Sequence, residues 1–311
     1  MDKIICIAGP TASGKTALAV ELAKELNGEV VSCDSMQVYK HMNIGTAKPT
    51  QEEMQGVPHH MLSVVEPSDE FSVSRYCEMS TPIIEDIISR NKVAIIAGGT
   101  GLYMDSVIRG NDFAPLPATG QREKLESIAM EQGIQAIISQ LSQVDPESAN
   151  RLHPSDQKRI IRAMEVYLET GITITEHNRR TQSIPSRYNP IWIGLDDNDR
   201  SELYRRIDLR VLKMLEDGLV QEIEDLLNTG ISEKCTAMQA IGYKEFVDAL
   251  QGRCSIEDAT ELVQKSSRHY AKRQITWFRR NKNIHWLVRN TGEKNDEIVM
   301  RARQFLGDFD I

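Results

Sequence analysis

Residues 9–16 read Gly9-Pro10-Thr11-Ala12-Ser13-Gly14-Lys15-Thr16, which matches the spacing G-x-x-x-x-G-K-[ST]. That spacing serves a definite chemistry. The glycines let backbone N–H groups curl around an anion, and the helix that follows points its positive end at it. Lys15 then reaches the outer phosphates, and the Thr16 hydroxyl suits a Mg2+ ion bound to them. The ligand is therefore a polyphosphate, while the reaction stays open. Phosphate-loop NTPases commonly add a carboxylate at the end of a second apolar strand to organise the metal. Here the apolar run 93–97 leads into "GGTGLY", which offers the Thr100 hydroxyl and flexible backbone but no acid. The carboxylate nearest that role is Asp34, after the stretch "EVVSC". It can assist a metal, act as base on an acceptor opposite the phosphates, or simply cap a turn before Ser35.

The elements that must carry these residues are legible from periodicity. Residues 4–8, 29–33 and 93–97 are short apolar runs that read as strands of a parallel sheet, and 190–195 can return the chain to it. Residues 17–26 and 73–90 read as helices between them, so the fold class is α/β with a phosphate-loop NTPase-like parallel sheet. From Arg122 to about Asn178 the texture is helical, with turns and helix starts at Asp145-Pro146, His153-Pro154 and Ser155-Asp156. The expected organisation is a first part of the core over 1–112 and an inserted helical subdomain over 113–186, followed by core completion with basic C-terminal helices over 187–311. The insertion is bounded by "DFAPLPATG" and "SIPSRYNP". Residues 199–216 carry Leu203, Ile207, Val211, Met214 and Leu215 at helical spacing, with Gly218 as the stop; Arg206 and Arg210 share a face of that helix and read by default as solvated.

A chain of 311 residues can build one large domain or two smaller ones. No apolar run approaches the ~20 residues of a membrane span, and the N-terminus enters a strand without a signal-peptide pattern, so a cytoplasmic protein with no membrane association is expected. Cys6, Cys33, Cys77, Cys235 and Cys254 are widely spaced, which disfavours both a disulfide framework and a zinc site. His59 and His60 read as partly exposed loop residues. The net charge of -8 disfavours nucleic acid, but its distribution does not: from Val263 to Gly292 there is no acid and a series of Lys and Arg. At about 100° per residue, Lys265, Arg268, Lys272, Thr276 and Arg279 form one stripe of a helix. Ala259, Leu262, Val263, Ser266, Tyr270 and Trp277 form the docked side. An acid-free basic stripe suits a phosphate backbone.

Taken in order, "GPTASGKTALAVELA", "SCDSMQVYKHMNIGTAKPT", "AGGTGLY", "LHPSDQKRIIRAMEVYLETG", "IGYKEF" and "AKRQITWFRR" closely resemble the bacterial tRNA dimethylallyltransferases, also called tRNA isopentenyltransferases. The resemblance runs from Ile4 to about Trp286. It implies dimethylallyl diphosphate as donor, Mg2+ as cofactor and a tRNA anticodon stem-loop as partner. The acceptor it implies is the exocyclic amino nitrogen of the adenine 3′ of the anticodon. It further implies Gly9, Pro10, Thr11, Ala12, Ser13, Gly14, Lys15, Thr16 and Arg210 around the diphosphate, with Thr16 on the metal. Asp34, Thr100, Arg210 and Lys15 carry the catalytic roles, Asp34 as base and Thr100 beside the reacting amine. The RNA-binding segments it implies comprise Asp34, Ser35, Met36, Gln37 and Thr100 in the core; Arg122, Lys158, Arg159, Ile160, Ile161 and Arg162 in the insertion; and Gln239, Gly242, Tyr243, Lys244, Lys272, Arg273, Gln274, Trp277 and Arg279 near the C-terminus. A monomer with no obligatory protein partner is expected.

Eukaryotic members of that family carry an added C-terminal zinc-finger module. This chain ends soon after Trp286 without the cysteine or histidine pairs for one, so RNA binding would rest on the core, insertion and basic helix. Two other readings stay open. An isopentenyltransferase acting on free adenine nucleotide would need neither the insertion nor the acid-free helix. A small-molecule kinase would use Arg159 and Arg162 as lid arginines and would transfer phosphate instead of releasing diphosphate.

Overall fold

The computed structural model describes residues 4–111, 119–183 and 185–309; the stretch 112–118, where the first boundary of the insertion was expected, and Ile184 within the second lie outside them. Two compact units result, one of Met1–Gly110 with Arg187–Ile311 and one of Asn111–Ser186.

The larger unit is built on strands β1 (Ile4–Ala8), β2 (Gly28–Cys33), β3 (His59–His60), β4 (Val93–Gly98), β5 (Ile191–Asp197) and β6 (His285–Arg289), in the order β3-β2-β4-β1-β5-β6. Every pairing among them is parallel. A parallel sheet covered on both faces wants apolar residues at every position, and successive side chains then enter different cores. Ile4, Cys6, Val31, Ala94 and Ile96 join one cluster, while Ile5, Ile7, Val30, Val93 and Ile95 join the other. The helices Lys15–Glu25 and Asn295–Leu306 contribute to the second cluster. The helices Val73–Ser89, Gly101–Arg109 and Ile256–Phe278 contribute to the first.

Two strands were missed in the sequence. β6 lies inside the window read only for its charge. β3 is made of the two histidines expected in a loop: Val30 pairs with His59 and Val31 with His60. His60 Nε2 meets Glu29 Oε2 at 2.8 Å, and Arg90 and Lys92 also reach that buried carboxylate. The basic side chains hold the Glu29 carboxyl far below the usual carboxylate range, Arg90 contributing most and burial opposing.

The smaller unit is helical. Helices Gln121–Gln132, Ile134–Val144, Pro146–Arg151, Gln157–Thr170 and Ile174–Ser183 surround a core of Leu125, Ile137, Leu141, Ile160, Ile161, Ala163 and Met164. Asp145 fixes its interior: Oδ1 accepts from Ser148 N and Thr175 Oγ1, and Oδ2 accepts from Thr175 N at 3.1 Å.

Candidate active site

Strand order decides which loops meet. β4 lies between β2 and β1, so the phosphate loop after β1, Asp34 after β2 and Thr100 after β4 leave neighbouring strands at their carboxyl ends. With strands about 4.8 Å apart, that edge is where open α/β sheets bind ligands. Thr100 Oγ1 accepts from Ser35 N at 3.0 Å, and Thr100 N donates to Cys33 O at 3.2 Å, tying the third loop to the second.

Asp34 is half-buried. Its Oδ1 accepts from Met36 N at 2.9 Å and Gln37 N at 3.4 Å, so one oxygen does the turn-capping job that its position allowed. The residue also lines a cavity of about 280 Å3, shared with Thr11, Ser35, Arg210 and Tyr270. One oxygen is thus held by the turn while the side chain borders the cavity, so capping and proton acceptance are compatible.

Arg210 is not a solvated arginine. From the helix Arg200–Glu216 its Nη1 donates to Thr11 Oγ1 at 3.2 Å, and it borders the same cavity. Arg206, one turn earlier, corrects the sequence reading more sharply. Its Nε donates to Ala12 O at 3.1 Å and its Nη2 to Asp197 Oδ2 at 2.7 Å, pinning the outer part of the phosphate loop to the end of β5. The sequence signal for this role was the acidic pair Asp196-Asp197 closing an apolar run.

Two cations in a half-buried site repel. Burial first, and then the Arg210 guanidinium, bring the Lys15 ammonium down to about 7, with Asp34 opposing. Lys15 Nζ donates to Pro10 O at 2.6 Å. Burial likewise lowers Arg210, again against Asp34. An anion entering between them relieves both costs. Ser13 Oγ points the same way, being buried in the phosphate loop without a hydrogen-bond partner. The metal-ligand inventory is sparse: among the described residues no group of three or more His, Cys, Asp or Glu side chains could hold an ion. Thr16, exposed at the first turn of its helix, fits Mg2+ as a single hydroxyl donor, because that ion keeps several waters and takes its other ligands from phosphate.

Two glycines of "GGTG", Gly99 and Gly101, make room for one helix, while Gly98 lies against the Cys33 backbone. A Cβ on Gly99 would lie 2.0 Å from Gln274 Nε2, and one on Gly101 would lie 2.1 Å from Trp277 Cδ1. Gln274 and Trp277 were expected at an RNA surface. Gln274 is instead buried, and Trp277 is half-buried with Nε1 donating to Asp105 Oδ2 at 2.8 Å.

Other RNA-facing expectations divide in the same way. Lys158, Arg159, Arg162, Lys244, Lys272 and Arg273 are exposed; Arg122 is exposed too, although it and Arg162 both bind Glu165. Ile160, Ile161 and Tyr243 are core residues, a correction to the segment-wide expectation. Gln37 staples its own loop, donating to Ala47 O at 3.1 Å and accepting from Ser32 Oγ at 2.9 Å. Gln239 is exposed, and it and Gly242 border the cavity. The basic stripe is less free than its sequence suggests. Arg279 binds the buried Asp196 at 3.0 Å and Arg268 binds Asp208, while Leu262, placed on the docked side, is 49% exposed. Acids from other elements supply what the stretch itself lacks.

Glu222 went unnoticed in the sequence. Its carboxylate accepts from the backbone N–H groups of Asn43, Ile44 and Gly45 and from the Tyr243 hydroxyl at 2.6 Å. It thereby anchors the loop whose Gly45 and Thr46 border the cavity.

Residues 37–281 match the family model described as IPP transferase, and residues 2–66 match one described as isopentenyl transferase. A protein of Acetivibrio thermocellus named tRNA dimethylallyltransferase is 43% identical, covering 100% of this chain and 99% of its own length. The crystal structure of the full-length tRNA isopentenylpyrophosphate transferase of Bacillus halodurans is similar with a TM-score of 0.75 at 42% identity, covering 99% of this chain and 96% of that one. A eukaryotic dimethylallyltransferase acting on tRNA gives 0.82 at 30% identity, covering 100% of this chain and 81% of that one.

Proposed function

The chain belongs to the IPP transferase family and has tRNA dimethylallyltransferase activity; from that premise we propose that its phosphate loop grips the diphosphate of dimethylallyl diphosphate while Asp34 serves the adenine. The acceptor is the exocyclic amino nitrogen of the adenine 3′ of the anticodon. The observation that carries this reading is the single cavity bordered both by Thr11 with Arg210 and by Asp34.

An adenine amino group is a weak nucleophile because its lone pair is delocalised into the ring. As its nitrogen bonds to the allylic C1, the C1–O bond breaks and its electron pair leaves with diphosphate. The nitrogen gives a proton to the Asp34 carboxylate, which passes it to solvent. Charge accumulates on the leaving group, so pre-oriented donors there do the largest electrostatic work. Lys15, Arg210 and the loop amides occupy that position. A Mg2+ ion, when bound, would be held by Thr16 and diphosphate oxygens and would neutralise part of the same charge.

The adenine must leave its stack to reach the cavity, at a cost of a few kcal/mol. We assign RNA backbone contacts to the exposed cations Lys158, Arg159, Arg162, Lys244, Lys272 and Arg273. The protein acts as a cytoplasmic monomer in this reading. Among the described residues no helix is long and apolar enough to cross a membrane.

The test is incubation with an unmodified anticodon stem-loop, dimethylallyl diphosphate and Mg2+, followed by mass spectrometry of the digested nucleosides. A prenyl increment on the adenosine 3′ of the anticodon, absent with AMP, is the expected result. An increment on AMP alone would move the chain to nucleotide prenylation, and none on either would remove the donor assignment.

A further inference from the structure

Gln274 sits on the helix Ile256–Phe278, directly beside the exposed Lys272 and Arg273, yet its own side chain is 5% exposed and turned into the catalytic unit. Both ends of its amide are used. Oε1 accepts from Thr11 N at 2.9 Å, and Nε2 donates to Gly99 O at 3.0 Å. Thr11 is the residue whose hydroxyl receives Arg210, and Gly99 precedes Thr100, whose hydroxyl holds the Asp34 loop through Ser35 N. One carboxamide therefore joins the part of the site that receives the leaving group to the part that receives the nucleophile.

A donor and an acceptor on one rigid planar group are required here, because one end faces an N–H and the other a carbonyl. The Thr11 amide is also spent on this bond, so it is not among the loop amides free for a bound phosphate. Direct contact with RNA is ruled out by burial. What remains is control of geometry, in which a displacement of about 1 Å between reacting groups can cost 100-fold in rate.

We propose that Gln274 is a positioning residue for prenyl transfer, fixing the Thr11–Arg210 end of the phosphate loop against the Gly99–Thr100 turn that holds the Asp34 loop through Ser35 N. The proposal rests on the functional reading above for its substrate, but its effect on the phosphate loop can be read without any transfer.

Two variants separate positioning from mere space filling. Gln274→Met keeps the length and removes both hydrogen bonds. It should weaken binding of inorganic diphosphate, measured by calorimetry, about tenfold and lower single-turnover prenyl transfer roughly 30-fold, with stem-loop affinity within about twofold of wild type. Gln274→Glu keeps the acceptor for Thr11 N, but it can donate to Gly99 O only while protonated, a form that burial favours. Its rate relative to wild type should therefore fall about tenfold from pH 6 to pH 8. Diphosphate binding and transfer by Gln274→Met within about twofold of wild type would overturn the proposal. If that variant does not fold, a pH-independent ratio for Gln274→Glu would overturn it. Wild-type enzyme that bound diphosphate but prenylated no RNA would remove the substrate reading, while the calorimetric comparison would still decide the role of Gln274.

Discussion

Replacing Arg210 with methionine removes one cation from the phosphate site while keeping a long side chain on the helix. Its guanidinium bonds Thr11 Oγ1 at 3.2 Å, which places it about one contact distance from a diphosphate seated on the loop. Two unit charges ~4 Å apart at an effective dielectric of about 20 interact by about 4 kcal/mol. Only the charge that develops as the C–O bond breaks affects the chemical step, roughly half of that amount. The bond to Thr11 is present before and during the reaction and adds nothing to the barrier, so the loss is about 2 kcal/mol, or roughly 30-fold in rate.

Ground-state binding should suffer less, for a reason visible in Lys15. Arg210 is second only to burial in bringing that ammonium down to about 7. In the wild type, diphosphate binding at pH above about 7 must take up a proton onto Lys15, and affinity falls as pH rises by up to about tenfold per unit. Without Arg210 the ammonium persists to higher pH, so this limb moves up and offsets part of the lost attraction. The assay is single-turnover prenyl transfer to an anticodon stem-loop over pH 6–9, with donor affinity followed in parallel. A rate within about threefold of wild type, or a binding limb still centred at 7, would refute the electrostatic argument.

Asp34→Asn should retain the acceptor for Met36 N and Gln37 N and so fold like the wild type, yet lose roughly 100-fold or more in single-turnover rate with tRNA affinity within about threefold. Asp34→Ala should add a loss of about 1 kcal/mol in denaturant stability to the same rate defect; an unchanged rate in either would remove Asp34 as base. Lys272→Ala should flatten the salt dependence of tRNA binding by about one unit of log–log slope without changing thermal stability. Arg279→Ala, by contrast, should lower stability by about 1 kcal/mol, because buried Asp196 loses one of its two arginine partners while the other remains; equal melting temperatures for the two variants would contradict that distinction.

The sequence by itself determined the phosphate-loop motif, the α/β class and four of the six strands, β1, β2, β4 and β5, and it set out Asp34, Thr100 and Arg210 as an expected set through the family resemblance. These follow from signals confined to a few neighbouring positions or carried by several motifs in register. It also set out a helical stretch between Arg122 and about Asn178, and five helices occupy Gln121–Ser183. Tertiary structure alone decided what each polar side chain does within those motifs. A basic segment without acids looks free in one dimension, yet β5 brings Asp196 to Arg279 and the helix Arg200–Glu216 brings Asp208 to Arg268. Arg206 looks like a surface residue until Asp197 and Ala12 O meet it, and Gln274 looks like its exposed neighbours until Thr11 and Gly99 take its amide. In each case the partner is remote in sequence. Helical periodicity tells which side of a helix a residue occupies, whereas only the packed chain shows whether solvent or another backbone lies on that side.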